Sequence, residues 1–332
     1  MTGPPNLPRF PLVAAPTPVQ RAARLERALG MPGLYVKRDD LTGLAVAGNK
    51  ARKLEFIVAD AMNRGADALV TGGGPASNHC HATAVAARVA GLGCVLLYYG
   101  HPPSDEPLGL GLARSFGAEV RFTGDPRRDS VDGGLAAVAK ELRDAGRRPY
   151  LVPRGGATPL GAAAYGLAAW ELARQLEDLG VRPATVVVAA GSGGTQAGLV
   201  AGTVSAGRPW HVVGASVSRP VDECRARVLR LAQDVAELCE WPTAGPADVD
   251  VRDAIGPGYG EPSTAGEKAA RLAADHEGLL LDPVFTAKAM AQVSEMASAG
   301  AAGPIVFWHT GGLLAAISAA TQGSHARQHV QV

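Results

Sequence analysis

The chain has 332 residues, 47% of them hydrophobic, with 32 basic and 31 acidic side chains and a formal net charge of +1. That length supports one large core or two smaller ones. The balanced charge excludes recognition of nucleic acid or of an anionic membrane surface by bulk electrostatics. No apolar run reaches transmembrane length. The Pro-rich segment 1–20 lacks the basic and apolar regions of a secretory signal. Cys80, Cys94, Cys224 and Cys239 have no metal-type spacing and read as buried thiols of a reducing compartment. The expectation is a soluble cytoplasmic protein with no metal centre.

Residues 1–20 read as an extended arm, followed by a helix over 19–29 and a short strand over 33–38. Next comes Gly48-Asn49-Lys50-Ala51-Arg52-Lys53-Leu54-Glu55, where Leu54, Ile57, Val58 and Ala61 recur at helical spacing to about residue 64. Residues 68–70 form a buried-type strand that runs into Gly72-Gly73-Gly74-Pro75-Ala76-Ser77-Asn78-His79 and a helix over 80–90. Strands at 94–99, 119–122 and 150–152 alternate with helices at 109–116 and 131–145. Segment 153–161 is a crossing between domains, leading to a helix over 162–179 and a Val-rich strand over 185–190. That strand ends in Gly191-Ser192-Gly193-Gly194-Thr195 and a helix. A strand over 211–217, a helix over 221–240 and a run over 249–255 lead to the loop 256–262. A helix over 263–275, a strand-to-loop run over 279–285 and a helix over 286–299 come next. The strand 304–308 turns through His309-Thr310-Gly311-Gly312 into a last helix, and the tail from residue 323 has no packing pattern. Alternating strands and helices predict an α/β fold with mostly parallel sheets.

The turns carry the chemistry. Lys50 falls in the first turn of its helix, near unpaired N–H groups and the positive end of the dipole. With Arg52 and Lys53 nearby, a lowered amine pKa would suit a Schiff-base lysine; a solvated basic turn is the competing reading. The 191–195 loop, between a Val-rich strand and a helix, has the form of a phosphate cradle. It lacks the Gly-Lys-Ser/Thr ending of a P-loop. It is also a poor dinucleotide fingerprint, since no acid for the ribose ends the next strand. Ser77 and Asn78 read either as a helix cap or as a carboxylate-binding cluster that places Ser77 for proton transfer. His309 reads either as a third site residue or as a satisfied core histidine. A candidate Schiff-base lysine, a phosphate cradle, an Asn and a Thr hydroxyl together meet the needs of pyridoxal 5'-phosphate.

These motifs resemble, in order, those of the 1-aminocyclopropane-1-carboxylate deaminase/D-cysteine desulfhydrase family: the turns at Lys50, at Ser77 and at Gly191, Gly256-Pro257-Gly258-Tyr259-Gly260, Asp282-Pro283-Val284-Phe285-Thr286-Ala287-Lys288, and His309-Thr310-Gly311-Gly312. The resemblance spans about residues 7–320. It implies a tryptophan synthase β-like fold: two open, twisted, mostly parallel sheets flanked by helices. Residues 1–47 and 161–332 would form the larger, cofactor-binding domain and 48–160 the smaller one. It implies that Lys50 is the Schiff-base lysine and that Asn78 bonds the phenolic oxygen of the cofactor. Lys53 and Gly191, Ser192, Gly193, Gly194 and Thr195 would take its phosphate, and Thr310 would meet the pyridine nitrogen. Ser77, Asn78 and His79 would meet the substrate carboxylate, with Tyr259 and Phe285 lining the pocket.

Two positions depart from the family. Phe285 stands where a tyrosine is usual, and Thr286 stands where the ring-opening deaminases carry a glutamate facing the pyridine nitrogen. The expected activity is α,β-elimination from a small β-substituted amino acid, giving a 2-oxo acid and ammonia, with Lys50 and Ser77 as catalytic residues. β-Replacement, 1-aminocyclopropane-1-carboxylate deamination, isomerisation and a catalytically decayed binding protein are the alternatives. Phe285 predicts little ring opening and a pocket for a less polar or larger β-substituent. A homodimer is expected.

Overall fold

A computed structural model of the protein describes residues 5–328, apart from 184, 208, 209 and 302. The chain opens with β1 (Val19–Arg21), α1 (Ala23–Leu29) and β2 (Leu34–Arg38). Then come α2 (Asn49–Asn63), β3 (Ala68–Gly73), α3 (Asn78–Val89), β4 (Gly93–Tyr98), α4 (Leu108–Ser115), β5 (Glu119–Phe122), α5 (Ser130–Asp144) and β6 (Pro149–Leu151). After them come α6 (Pro159–Asp178), β7 (Thr185–Ala190), α7 (Gly194–Ser205), β8 (His211–Ser216), α8 (Val221–Cys239) and β9 (Asp250–Asp253). α9 (Thr264–Glu277), α10 (Thr286–Ser298), β10 (Ile305–His309) and α11 (Leu313–Gln328) complete the chain.

The strands form two sheets, in the orders β1-β2-β10-β7-β8-β9 and β5-β4-β3-β6. All pairs are parallel except the edge pair β1–β2. Side-chain alternation explains the layers. In β7, Val186, Val188 and Ala190 join a core shared with α6, α7 and α8. Val187 and Ala189 point the other way, into a core shared with α1, α9 and α10. In β4, Cys94, Leu96 and Tyr98 pack against α2 and α3, and Val95 and Leu97 pack against α5.

A buried polar network fastens α2 to the first sheet. Arg52, 5% exposed, donates to Asp39 at 3.0 Å and to Glu171 at 2.9 and 3.0 Å. Tyr165 and Trp308 add bonds to Asp39 at 2.6 and 2.9 Å. Lys37 pairs with Glu171 from the far side.

Three expectations need correction. Residues 19–21 are a strand, because Val19, Gln20 and Arg21 pair with Lys37, Val36 and Tyr35, and the helix starts only at Ala23. Residues 279–285 form no strand; the Asp282 carboxylate takes the N–H groups of Val284, Phe285 and Thr286 and folds the run into the start of α10. The last helix runs past residue 323 to Gln328. Residues 1–4 of the expected arm and 329–332 of the tail lie outside the described residues.

Candidate active site

The turns that leave β3, β7 and β10 open onto one cavity of about 520 Å³, and Lys50 reaches it from α2. This is the carboxyl edge of both sheets, where open α/β folds bind ligands. Lys50, Ser77, Asn78, His79, Gly191, Ser192, Gly193, Thr195, Tyr259, Phe285 and Thr310 line it. Lys53 and Gly194 stand behind the wall, with the Lys53 ammonium 3.0 Å from where a Cβ on Gly194 would lie.

Close backbone contact sets the position of Lys50. Gly48 has φ +57, and a Cβ there would lie 2.4 Å from the Thr310 carbonyl oxygen. The next amide, Asn49 N–H, donates to that same oxygen at 2.9 Å. Only glycine permits this approach. Lys50 Nζ then donates to Asn49 Oδ1 at 2.8 Å, while Asn49 Nδ2 donates to Thr195 Oγ1 at 3.0 Å. Burial lowers the Lys50 amine to a pKa of about 8, against the opposing charge of Asp282. The expected direction holds with a different cause, since Arg52 is engaged by Asp39 and Glu171.

The 191–195 loop meets the requirements of a phosphate. Gly193 adopts φ +87 and hands the chain to α7. Arg227 Nε braces the loop through the Ser192 carbonyl at 2.8 Å. Burial, followed by the Lys50 charge, pushes Lys53 well below the usual lysine range. Its one hydrogen bond among the described residues is a long one, 3.4 Å to the Gly155 carbonyl. An ammonium this poorly satisfied, beside a glycine cradle and a helix N-terminus, fits a bound phosphate. With Lys50 at about pKa 8, the residues present fit pyridoxal phosphate.

Ser77 caps α3, accepting from Cys80 N–H at a long 3.4 Å, and it also faces the cavity. Burial, followed by the charges of Lys50 and Lys53, pushes the His79 pKa well down and favours the neutral ring. The Thr71 hydroxyl donates to the Val152 carbonyl at 2.7 Å, so it must accept from His79 Nε2 at 3.0 Å. His79 Nδ1 is thereby left a bare, buried acceptor. His309 is the satisfied histidine of the two. Its Nδ1 accepts from Gly311 N–H at 3.2 Å and its Nε2 meets the Leu280 carbonyl at 3.1 Å.

Tyr259 and Phe285 meet edge to face, with ring centroids 6.4 Å apart. Lys288, a residue of the Asp282 motif, holds the Tyr259 loop from below through the carbonyls of Ile255 and Gly258 at 2.5 and 3.1 Å. Thr286 does not face the cavity. It is fully buried, and its hydroxyl donates to Asp282 Oδ2 at 2.6 Å. The position thought to stand opposite the pyridine is turned inward to start α10.

Sequence reasoning passes over several lining residues. Asn49 reads only as a turn former, although its amide has one arm for Lys50 and one for Thr195. Asp282 reads as motif context, and its capping role is visible in the spacing to Thr286. Tyr99, Arg128, Arg154, Arg219 and Arg227 also line the cavity. No local pattern announces them, since they come from separate loops.

Comparison with known proteins agrees with this geometry. Residues 11–311 match the family described as Pyridoxal-phosphate dependent enzyme. The chain is 40% identical over 322 residues to proteins named D-cysteine desulfhydrase from Salmonella newport (strain SL254) and Salmonella heidelberg (strain SL476), covering 92% of this chain and 94% of each of those. A crystal structure of an ACC deaminase homologue superposes with a TM-score of 0.87 at 35% identity, covering 93% of both chains. A threonine deaminase from T.th. shares the fold, with a TM-score of 0.65 at 20% identity over 89% of this chain and 92% of that one. The chain belongs to the pyridoxal-phosphate dependent enzyme family, with the tryptophan synthase β-like fold that the resemblance implied.

Proposed function

We propose that the protein catalyses α,β-elimination from a small β-substituted amino acid, as a D-cysteine desulfhydrase-like lyase that releases a 2-oxo acid and ammonia. The observation that carries this reading is the cavity itself. A lysine with a pKa of about 8 faces the hydroxyl and N–H groups at the start of α3 and is tied through Asn49 to the 191–195 loop. The similarity to the Salmonella desulfhydrases supports it.

Residues 191–195 and Lys53 would hold the cofactor phosphate, Asn78 its phenolic oxygen and Thr310 its pyridine nitrogen. Bound there, pyridoxal phosphate supplies an electron sink for charge developing at the substrate Cα. Lys50 Nζ takes the Cα proton, and a pKa near the working pH suits a general base. Ser77 Oγ relays a proton in the same step. Ser77 and Asn78 offer donors to the substrate carboxylate. His79 Nδ1, a bare acceptor, suits an N–H or O–H donor instead. Tyr259 and Phe285 line the far wall, edge to face.

Ring opening of 1-aminocyclopropane-1-carboxylate does not suit this lining. Phe285 has no hydroxyl to move a proton, and Thr286 is bonded to Asp282 inside the fold. The division into residues 1–47 with 161–332 and residues 48–160 is supported by the strand membership of the two sheets. A cytoplasmic location is supported by four free, buried cysteines; we carry the homodimer forward as the assembly to test by light scattering.

The test is a panel of D- and L-amino acids with β-leaving groups, assayed for 2-oxo acid and ammonia. Release from D-cysteine or β-chloroalanine, with none from 1-aminocyclopropane-1-carboxylate, is the expected result. Steady 2-oxobutanoate from the cyclopropane substrate, or no elimination from any member, would overturn the reading.

A further inference from the structure

Three arginines that line the cavity are assigned neither to the cofactor phosphate nor to the substrate carboxylate. Arg128 precedes α5, Arg154 lies in the turn after β6, and Arg219 follows β8, yet all three line the same cavity. The Arg128 guanidinium lies 3.7 Å from the centre of the Tyr259 ring and has no carboxylate partner among the described residues. Arg219 Nη1 donates to the Gly191 carbonyl at 2.9 Å, beside Phe285, and its Nε pairs with Glu223 at 2.9 Å, a carboxylate whose side chain is 62% exposed. Arg154 is held by Asp132 at 2.6 and 2.8 Å, a carboxylate whose side chain is 56% exposed.

Other groups already serve the anions that the elimination reading assigns. Lys53 sits behind the 191–195 loop, Arg227 braces that loop from the cavity wall, and Ser77 with Asn78 would meet the substrate carboxylate. The acidic residues of the lining are Asp132 and Asp282, and Asp282 is committed to the first N–H groups of α10. Burial raises the pKa of the Tyr259 phenol, and the charges of Arg128, Arg154 and Arg219 oppose that rise. Of the three arginines, Arg128 alone has no carboxylate partner among the described residues, and its guanidinium in the lining favours an anionic β-substituent over the less polar or larger one expected from Phe285 alone.

We propose that the substrate carries a second anionic group on its β-carbon, a tetrahedral oxyanion ester such as a phosphate, held by Arg128, Arg154 and Arg219. The inference rests on the elimination reading. Guanidinium groups keep their charge at any working pH, and their forked donors match tetrahedral oxyanions. The step balances. The Cα hydrogen leaves as a proton to Lys50, and the Cβ–O bond breaks with its electron pair on the ester oxygen, which departs as inorganic phosphate. Water replaces nitrogen at Cα as ammonia leaves. One water is consumed for each 2-oxo acid, ammonia and phosphate released.

The experiment pairs turnover with binding. Both enantiomers of O-phosphoserine are assayed beside β-chloroalanine with the holoenzyme and with Arg128→Gln and Arg128→Lys. Binding of the non-reacting 2-amino-3-phosphonopropanoate is measured by calorimetry. Phosphate and pyruvate should appear in equal amounts from one enantiomer. Arg128→Gln should lower the ratio of kcat/KM for O-phosphoserine to that for β-chloroalanine on the order of ten- to hundredfold, with Arg128→Lys in between. Binding of the phosphonate should weaken by a similar factor, and the cofactor-to-protein ratio should stay constant. Absence of phosphonate binding by the holoenzyme, an unchanged ratio, or loss of cofactor from Arg128→Gln would each overturn the proposal. Failure with β-chloroalanine as well would count against elimination itself, while the calorimetry still decides the anion site.

Discussion

Lys50 and Thr195 are joined through one side chain: Asn49 accepts from Lys50 Nζ at 2.8 Å and donates to Thr195 Oγ1 at 3.0 Å. The bridge couples the amine on α2 to the first turn of α7, so Lys50 and the 191–195 loop share one registration. Asn49→Ala should therefore weaken cofactor binding roughly tenfold, the usual size for losing a hydrogen bond to a charged group. Titration of the apoprotein with pyridoxal phosphate checks this. An affinity within about twofold of the wild type would show that the bridge does not hold the site.

The Arg52–Asp39 pair anchors the same helix. Both side chains are almost fully buried, so removing one strands the other. Arg52→Ala should cost about 3–5 kcal/mol of stability. Adding Asp39→Asn should recover part of that loss, because the uncompensated carboxylate goes with it. Denaturant unfolding of both variants measures the difference, and a loss under about 1 kcal/mol would reduce the pair to a surface-like contact.

Ser77 both caps α3 and lines the cavity, and the two roles predict different losses. If its hydroxyl moves a proton, Ser77→Ala should lower turnover by roughly two to four orders of magnitude and leave the cofactor bound. A cap alone would cost about 1 kcal/mol of stability with near-normal turnover. The long 3.4 Å capping bond to Cys80 makes the first outcome the expected one.

The parts of the site written in contiguous turns were legible in the sequence. Glycine, lysine and hydroxyl residues at strand ends declare themselves by spacing, and Lys50, Ser77 and the 191–195 loop fall where their patterns placed them. Residues whose role depends on a distant partner were not legible. Thr286 reads only as a replacement for the deaminases' glutamate until Asp282 is seen to hold it, and Arg128 has meaning only beside Tyr259, brought from more than a hundred residues away. The strand at 19–21 is hidden for the same reason, since its partner β2 fixes it and its own residues do not.

Burial favours the neutral Lys50 amine, so attachment of the cofactor to the apoprotein should accelerate with pH and level off above about pH 8. An ordinary lysine would keep gaining to roughly pH 10.4. Asp282 opposes the downward shift, and Asp282→Asn should move the midpoint lower. Stopped-flow absorbance across the pH range reads both. A midpoint near that of free lysine would contradict the buried-amine account.

On the elimination reading, Lys50 is the residue to which the cofactor attaches. Borohydride reduction of the purified holoenzyme, followed by peptide mass mapping, tests it directly. The predicted result is one pyridoxyl adduct on Lys50, absent in Lys50→Ala along with all turnover. An adduct on Lys53 or Lys288, or turnover surviving in Lys50→Ala, would contradict it.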